Sequence, residues 1–347
     1  MKKFRYLILL VMLLALVLSL KAVCAETVSF NNLKAALNYV RQNQPSEITL
    51  EKVKFKPPEL LQIKNALPEG ATFHFTTTWG SVTFSDDATD LDLRTRKAGV
   101  SAEDLEAIVQ ICPDIKRIDN SNKRAPSNKQ MIPLIEKYPD VQFEWMVYLG
   151  KGHYISTTVT AYSTFNHSSY GSNKKLTAED LELLKYCPRL KALDLGHNRV
   201  QNLEFLKYLP DLELLIIGDN QVADLTPVGQ LKHLQYAELF MNRYSDVSPL
   251  ANCTELLDLN LTVSKITDLS PLDQVTSLER LWVNSCKELP KEAVDHFKET
   301  HPDCLVDYKP SSGAMRDGWR EHPRYKHYIW CLKHSTWIPF DEEIPSR

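Results

Sequence analysis

Apolar positions recur along the second half of the chain with a period of 22 residues. Leucines begin five successive units, at Leu190, Leu212, Leu234, Leu256 and Leu278. Apolar side chains follow each lead leucine three and five residues later, and the position eight residues later holds Asn198, Asn220, Asn242, Ser264 and Cys286 in turn. This periodicity predicts stacked repeats, because one such unit cannot bury its apolar edge alone.

Each position of the repeat has a physical reason. The pattern L-x-x-L-x-L predicts a short strand whose alternate side chains face inward, since strand side chains have period two. The asparagine side chain can bond backbone groups that the following turn leaves unpaired, and stacked copies form a ladder. Ser264 and Cys286 fill that position less completely, so we expect the ladder to weaken towards the C-terminal repeats.

The stretch from Leu190 to about Leu289 resembles the leucine-rich repeats of bacterial internalins. The resemblance implies an α/β solenoid, a leucine-rich-repeat horseshoe with a parallel concave sheet, and a non-enzymatic protein that binds a protein or peptide ligand. Residues 47–189 resemble, more weakly, longer leucine-rich repeats of gut-type bacteria, with helices that end before an Xaa-Pro junction. Two projecting hairpin insertions are predicted there, one at Phe73–Phe84 and one at Phe143–Thr160.

The ends of the chain complete the predicted organisation. Lys2, Lys3 and Arg5 precede an apolar run and a small-residue site at Val23 to Ala25, which predicts a signal peptide over residues 1–25 and a secreted protein that is either released or retained at the cell surface. Terminal caps are expected at 26–46 and 308–347; between them lie the longer repeats at 47–189 and the regular repeats with a last long unit at 190–307. The C-terminal region holds Trp319, Trp330 and Trp337, and we expect a lid over the last repeat or an aromatic surface for polysaccharide or membrane.

Composition and motifs narrow the function. With 41 basic and 44 acidic side chains and no long basic run, nucleic acid is not an expected partner. No second apolar span follows the leader, and we expect a monomer without cofactor, metal or catalytic residues.

Two metal sites are alternatives to ordinary turn and surface roles: calcium at the recurring Asp224, Asp246 and Asp268, and a histidine cluster at His322, His327 and His334. Cys304 and Cys331 are candidates for a disulfide, and Cys112 and Cys187 for buried fillers.

The side chains between the inward leucines should point out of the concave sheet, where large apolar residues form an expected hot spot among charges. The predicted partner-binding residues are Leu214, Ile216, Tyr236, Glu238, Phe240, Asp258, Arg280 and Trp282. The alternative is that a hairpin or cap folds over this patch and buries it. A competing function is carbohydrate or cell-wall binding through aromatic residues of the hairpins, Trp79 and Trp145 included, and of the C-terminal tail.

Overall fold

The computed structural model describes residues 26–165, 175–309 and 318–345, so the predicted signal peptide lies outside the described residues. The chain divides into two compact units, Met1–Trp145 and Met146–Arg347. The predicted boundary between longer and regular repeats, at 189/190, therefore falls inside the second unit.

Unit 1 contains two small sheets, and helices alternate with their strands. In the first sheet β1, β2 and β3 are parallel and β4 pairs antiparallel with β3. These strands are β1 Glu26–Val28, β2 Glu47–Val53, β3 Thr72–Trp79 and β4 Val82–Ser85. The second sheet is parallel and comprises β5 Asp90–Asp92, β6 Arg117–Asp119 and β7 Gln142–Glu144. The helices are α1 Leu33–Asn43, α2 Pro57–Ala66, α3 Ala102–Ile111 and α4 Asn128–Lys137.

Unit 2 is built on one parallel sheet of seven short strands, joined in sequence order. They are β10 Ala161–Ser163, β11 Ala192–Asp194, β12 Leu214–Ile216, β13 Tyr236–Glu238, β14 Asp258–Asn260, β15 Arg280–Trp282 and β16 Leu305–Asp307. From β11 to β15, residues 22 apart face each other, as Ala192 does Leu214. Thus the sequence period is the register of the sheet, and every inward leucine stacks on its counterpart in the next repeat.

The rest of unit 2 consists of connections, helices and one hairpin. Strands β8 Met146–Gly150 and β9 His153–Ser156 pair antiparallel. Short helical turns return the chain between sheet strands, at Ala178–Leu181 (α5), Glu182–Tyr186, Glu204–Tyr208, Val228–Gln230, Ser248–Asn252 and Ser270–Gln274. Two longer helices follow, α6 Lys291–Thr300 and α7 Pro323–His334.

The asparagine ladder fixes the turn after each strand. Asn220 Nδ2 donates to the carbonyls of Leu195 (2.9 Å) and Ile217 (3.0 Å), and its Oδ1 accepts from Val200 N at 3.0 Å. Asn242 repeats this pattern one unit later. Serine and cysteine then take over: Ser264 Oγ lies 3.4 Å from Cys286 Sγ, which contacts the Leu261 carbonyl at 3.3 Å. The ladder therefore changes from amide to weaker sulfur contacts towards the last repeats, as the substitutions predict.

Candidate functional site

The predicted binding surface is the face of the unit 2 sheet that carries the side chains between the inward leucines, here called the sheet face. All eight predicted residues lie on it or at its edge, and all are buried, with exposures from 0% to 6%. Seven stand on the strands β12 to β15, and Phe240 follows β13. The strand alternation was therefore predicted correctly, but the expectation that these side chains are exposed is wrong.

The cover is the C-terminal segment, residues 318–345, which includes α7. Trp319, Tyr328, Cys331, Leu332 and Trp337 of this segment form one buried cluster with residues of the sheet face. The sheet side of that cluster consists of Ala161, Ala192, Leu214, Ile216, Tyr236 and Trp282. The structure thus shows the alternative that the sequence left open, in which a terminal cap folds over the patch.

Glu238 is the centre of a buried hydrogen-bond network between the sheet face and the C-terminal segment. Its Oε1 accepts from Tyr236 Oη (2.7 Å), Trp319 Nε1 (2.8 Å) and Tyr328 Oη (2.9 Å). Burial raises the pKa of the Glu238 carboxyl, and these three donors oppose that rise without cancelling it. Two of the three donors come from the C-terminal segment, so Glu238 is satisfied only when that segment is in place.

Asp258 forms the second polar centre, with two guanidinium groups. Arg280, on the neighbouring strand, donates to both carboxylate oxygens at 2.7 Å. Arg324 of α7 donates to the same two oxygens at 2.7 and 2.8 Å, and also to Glu279 at 2.6 Å. Burial alone would raise the pKa of Asp258, but the hydrogen bonds and charges of the two arginines outweigh it and leave the pKa lowered.

A third set of contacts attaches the end of α7 at the first strands of the sheet. Trp337 Nε1 donates to Glu213 at 2.7 Å, and Trp337 N donates to Thr160 Oγ1 at 2.7 Å. Thr160 N in turn donates to the Ser335 carbonyl at 3.3 Å. Contacts from β10 to β15 therefore hold the segment, and they combine apolar burial with matched polar partners, as a tightly bound peptide does.

Phe240 is buried in another way. A Cβ atom placed on Gly218 would lie 2.3 Å from the Phe240 ring, so the ring rests on the bare backbone of the neighbouring repeat. Gly218 is required by this close approach rather than by its backbone torsions. The predicted anchor is thus an intramolecular packing residue, and the glycine one repeat earlier is the sequence signal that could have shown it.

The other chemical candidates have local roles. Asp224, Asp246 and Asp268 accept from the backbone amides of Thr226, Ser248 and Ser270 at 2.8–2.9 Å, as expected for turn aspartates. His327 Nε2 lies 2.8 Å from the Ile338 carbonyl, and His334 Nδ1 lies 2.8 Å from the Trp330 carbonyl. Within residues 26–165, 175–309 and 318–345, no group of three or more His, Cys, Asp or Glu side chains is placed to hold a metal ion.

The cysteines and tryptophans are mostly interior residues. Cys112, Cys187, Cys253, Cys286, Cys304 and Cys331 are buried thiols, so Cys304 and Cys331 are not bridged. Trp79 and Trp145 are 5% and 1% exposed, which removes them as surface platforms for a carbohydrate. In the part of the chain that the structure describes, no helix has the length and apolarity needed to cross a membrane.

One edge of the unit 2 sheet carries exposed side chains among the described residues. The residue three positions beyond each strand β11 to β15 has a positive φ, and these residues are His197, Asp219, Met241, Val263 and Ser285. His197 and Asp219 pair with each other at 2.8 Å. Met241 and Val263, here called the rim, instead expose 43% and 40% of their surface.

The repeat period, the parallel in-register strands and the asparagine ladder together define the fold of unit 2 as a leucine-rich-repeat fold. No protein-family model and no curated protein matches the chain. Among solved structures it is similar to internalin C2 of Listeria monocytogenes, with 23% identity over 55% of this chain and 79% of that chain and a TM-score of 0.34.

Two further bacterial structures are similar to the chain. A second internalin of Listeria monocytogenes has 19% identity over 65% of this chain and 70% of that chain, with a TM-score of 0.37. A leucine-rich repeat protein of Leptospira interrogans has 18% identity over 81% of this chain and 70% of that chain, with a TM-score of 0.39. The assignment to the class rests on the repeat and the sheet of this chain, not on these superpositions.

Proposed function

We propose that this chain is a secreted protein-binding module and that its protein or peptide partner docks on the rim of unit 2. The observation that carries the proposal is the exposure of Met241 and Val263 side by side on successive repeats. The C-terminal segment fills the sheet face, where it contacts seven of the eight predicted residues, and Phe240 packs on Gly218 instead. We therefore assign the partner surface to the exposed part of the described repeats. Secretion rests on the sequence pattern of residues 1–25.

Val263 combines an exposed apolar side chain with an unfavourable backbone conformation. It has a φ of 58°, in the left-handed region that glycine and asparagine tolerate and that a β-branched side chain rarely adopts. Nothing in the interior requires a valine there, since 40% of the residue is exposed. A strained apolar residue at the surface costs stability and solubility, and such residues cluster at functional sites. Partner binding is a reason for retaining it.

Affinity capture tests the proposal. The mature protein would be immobilised and exposed to cell-surface and host extracts, beside the double variant Met241→Ser/Val263→Asn. The matched control is Ile329→Ser, which removes an apolar side chain of similar exposure, 44%, from α7. Wild type and control should retain the same partner, and the double variant should lose it, because truncating a central apolar anchor costs about 2 kcal/mol or more. Equal capture by all three proteins would refute the proposal.

Carbohydrate binding is the second candidate function, and one observation favours it. Tyr148 and Tyr154 face each other across the β8–β9 hairpin, with ring centroids 4.7 Å apart, and they are 41% and 52% exposed. Paired exposed rings offer flat apolar surfaces of the kind on which a sugar ring can stack. Glycan-array binding that is lost in Tyr148→Ala/Tyr154→Ala, and kept in the rim variant, would favour this function over protein binding.

A further inference from the structure

We infer that the rim takes an acidic amphipathic helix of the partner, an inference that rests on the proposed function and names the chemistry of its ligand. Two residues beyond Met241, Val263 and Ser285, successive repeats carry Arg243, Lys265 and Lys287, here called the basic row. All three side chains are exposed. The surface therefore combines an apolar pair with a parallel line of cations.

The backbone holds both rows in register. Met241 N donates to the Thr262 carbonyl at 2.9 Å, and Val263 N donates to the Asn284 carbonyl at 2.8 Å, so the rim positions stack repeat on repeat. Arg243 N donates to the Val222 carbonyl at 2.8 Å, and Lys265 N to the Tyr244 carbonyl at 3.4 Å. Stacked backbones advance by about 4.8 Å per repeat, which sets the spacing of the cations.

The cations of the basic row form no ion pair in the part of the chain that the structure describes. The ion pairs of the neighbouring repeats join other residues, such as His197 with Asp219 and Lys291 with Asp295. The aspartates three residues beyond the first two of these cations, Asp246 and Asp268, accept hydrogen bonds from Ser248 and Ser270 and form no ion pair with Arg243 or Lys265. By contrast, the equivalent rim positions two repeats earlier hold the His197–Asp219 pair. A ligand with carboxylates complements the later repeats but not the earlier ones.

Spacing selects a helix over an extended strand as the source of those carboxylates. One face of a helix repeats about every 5.4 Å, and alternate residues of a strand repeat about every 6.7 Å. Three cations on successive repeats are separated by two intervals of about 4.8 Å. Over those two intervals, the matching positions of a helix depart from the cations by about 1.2 Å and those of a strand by about 3.8 Å. Acidic residues at every third or fourth position can therefore face all three cations, with a neighbouring apolar stripe on Met241 and Val263.

Fluorescence anisotropy with the full mature chain tests this inference. The probes are three labelled helical peptides: one with adjacent glutamate and leucine stripes, one with lysine replacing glutamate, and one with the two stripes on opposite faces. Only the first should bind well. Charge reversal in Arg243→Glu/Lys265→Glu/Lys287→Glu should weaken its binding at least tenfold, and so should a rise from low to high salt. The control Lys207→Glu/Lys232→Glu/Lys298→Glu reverses three exposed lysines outside the basic row and should change binding less than twofold.

Circular dichroism of each variant would first establish that it is folded. The inference would be overturned if the lysine peptide bound as tightly as the peptide with adjacent glutamate and leucine stripes. It would also be overturned if charge reversal of the basic row weakened binding of the latter peptide less than tenfold. The proposed function has a separate outcome, because partner capture is measured with the rim variant Met241→Ser/Val263→Asn. If that variant loses the captured partner but charge reversal of the basic row changes nothing, the rim is supported as the docking surface and the acidic helix is refuted as its ligand. If neither variant affects capture, both the proposed function and the acidic ligand are refuted.

Discussion

Replacing Arg324 with alanine tests whether polar contacts hold the C-terminal segment on the sheet face. Arg324 donates two hydrogen bonds to Asp258, which is 0% exposed, and one to Glu279. Removing one partner of a buried ion pair costs about 3–5 kcal/mol, because the remaining charge stays buried without compensation. Arg280 still pairs with Asp258 in this variant, so the compensation is lost only in part and we expect no more than the lower end of that range, about 3 kcal/mol.

The expected loss is large enough to measure in two ways. For a unit of this size, about 3 kcal/mol lowers the melting temperature by about 6–12 °C. Urea unfolding followed by tryptophan fluorescence reports the same loss, since Trp282, Trp319 and Trp337 become exposed in the transition. Limited proteolysis should cut the C-terminal segment faster in the variant. The control Lys291→Ala removes an exposed pair, with 70% and 50% exposed partners, and should change stability by less than about 0.5 kcal/mol.

Acid unfolding adds a check with a defined sign. The folded pKa of Asp258 is lowered, so its contribution to stability is present above its unfolded value of about 3.9 and is lost as the pH falls through the folded value. Arg324→Ala should shrink this acid-dependent loss as well as the stability at neutral pH. A variant within about 0.5 kcal/mol of wild type at pH 7, with unchanged acid unfolding, would show that apolar packing alone holds the segment.

Three other changes test the remaining steps of the argument. Val263→Asn should raise the melting temperature by about 2–4 °C, because it relieves about 1 kcal/mol of left-handed strain; a lower melting temperature in calorimetry would contradict the strain argument. Glu238→Gln should flatten the pH profile: the folded pKa of Glu238 is raised, so its stabilisation is complete below about pH 4.3 and is lost as the pH rises through the folded value, whereas glutamine does not titrate. An equal decrease of the melting temperature from pH 4 to pH 7 in wild type and in Glu238→Gln would rule this out. Asn220→Ala should cost about 2–4 kcal/mol in urea unfolding, since it orphans buried backbone groups, against less than about 1 kcal/mol for Ser264→Ala; equal losses would mean that the ladder adds nothing specific.

The repeat register and its inward leucines could be predicted from the sequence because both are local and periodic. Each strand from β11 to β15 begins two residues after its lead leucine, and the asparagine position makes the expected backbone contacts. The sequence also predicts antiparallel hairpins at two places, and antiparallel pairs stand at β3–β4 and β8–β9. Whether these project from a solenoid as insertions stays a prediction.

The cover over the sheet face could not be placed from the pattern, because its contacts are far apart in sequence and follow no period. Trp319 and Glu238 are separated by 81 residues, and Arg324 and Asp258 by 66. A repeat predicts which side chains leave the sheet on one side, but not what meets them there. The available signal was complementarity: buried-face acids in the repeats, and tryptophans and arginines in the tail.

Energetics decide whether a partner can use the sheet face by displacing the C-terminal segment. Burial of Trp319, Tyr328, Leu332 and Trp337 is worth about 1.5–3 kcal/mol each, or about 6–12 kcal/mol together, before the polar networks of Glu238 and Asp258 are counted. A partner with micromolar affinity supplies only about 8 kcal/mol. From the middle of that range upward, and with the cost of breaking the polar networks added, displacement would consume that energy and leave nothing for net binding. A ligand that docks on the rim avoids this cost, since Met241 and Val263 are already exposed.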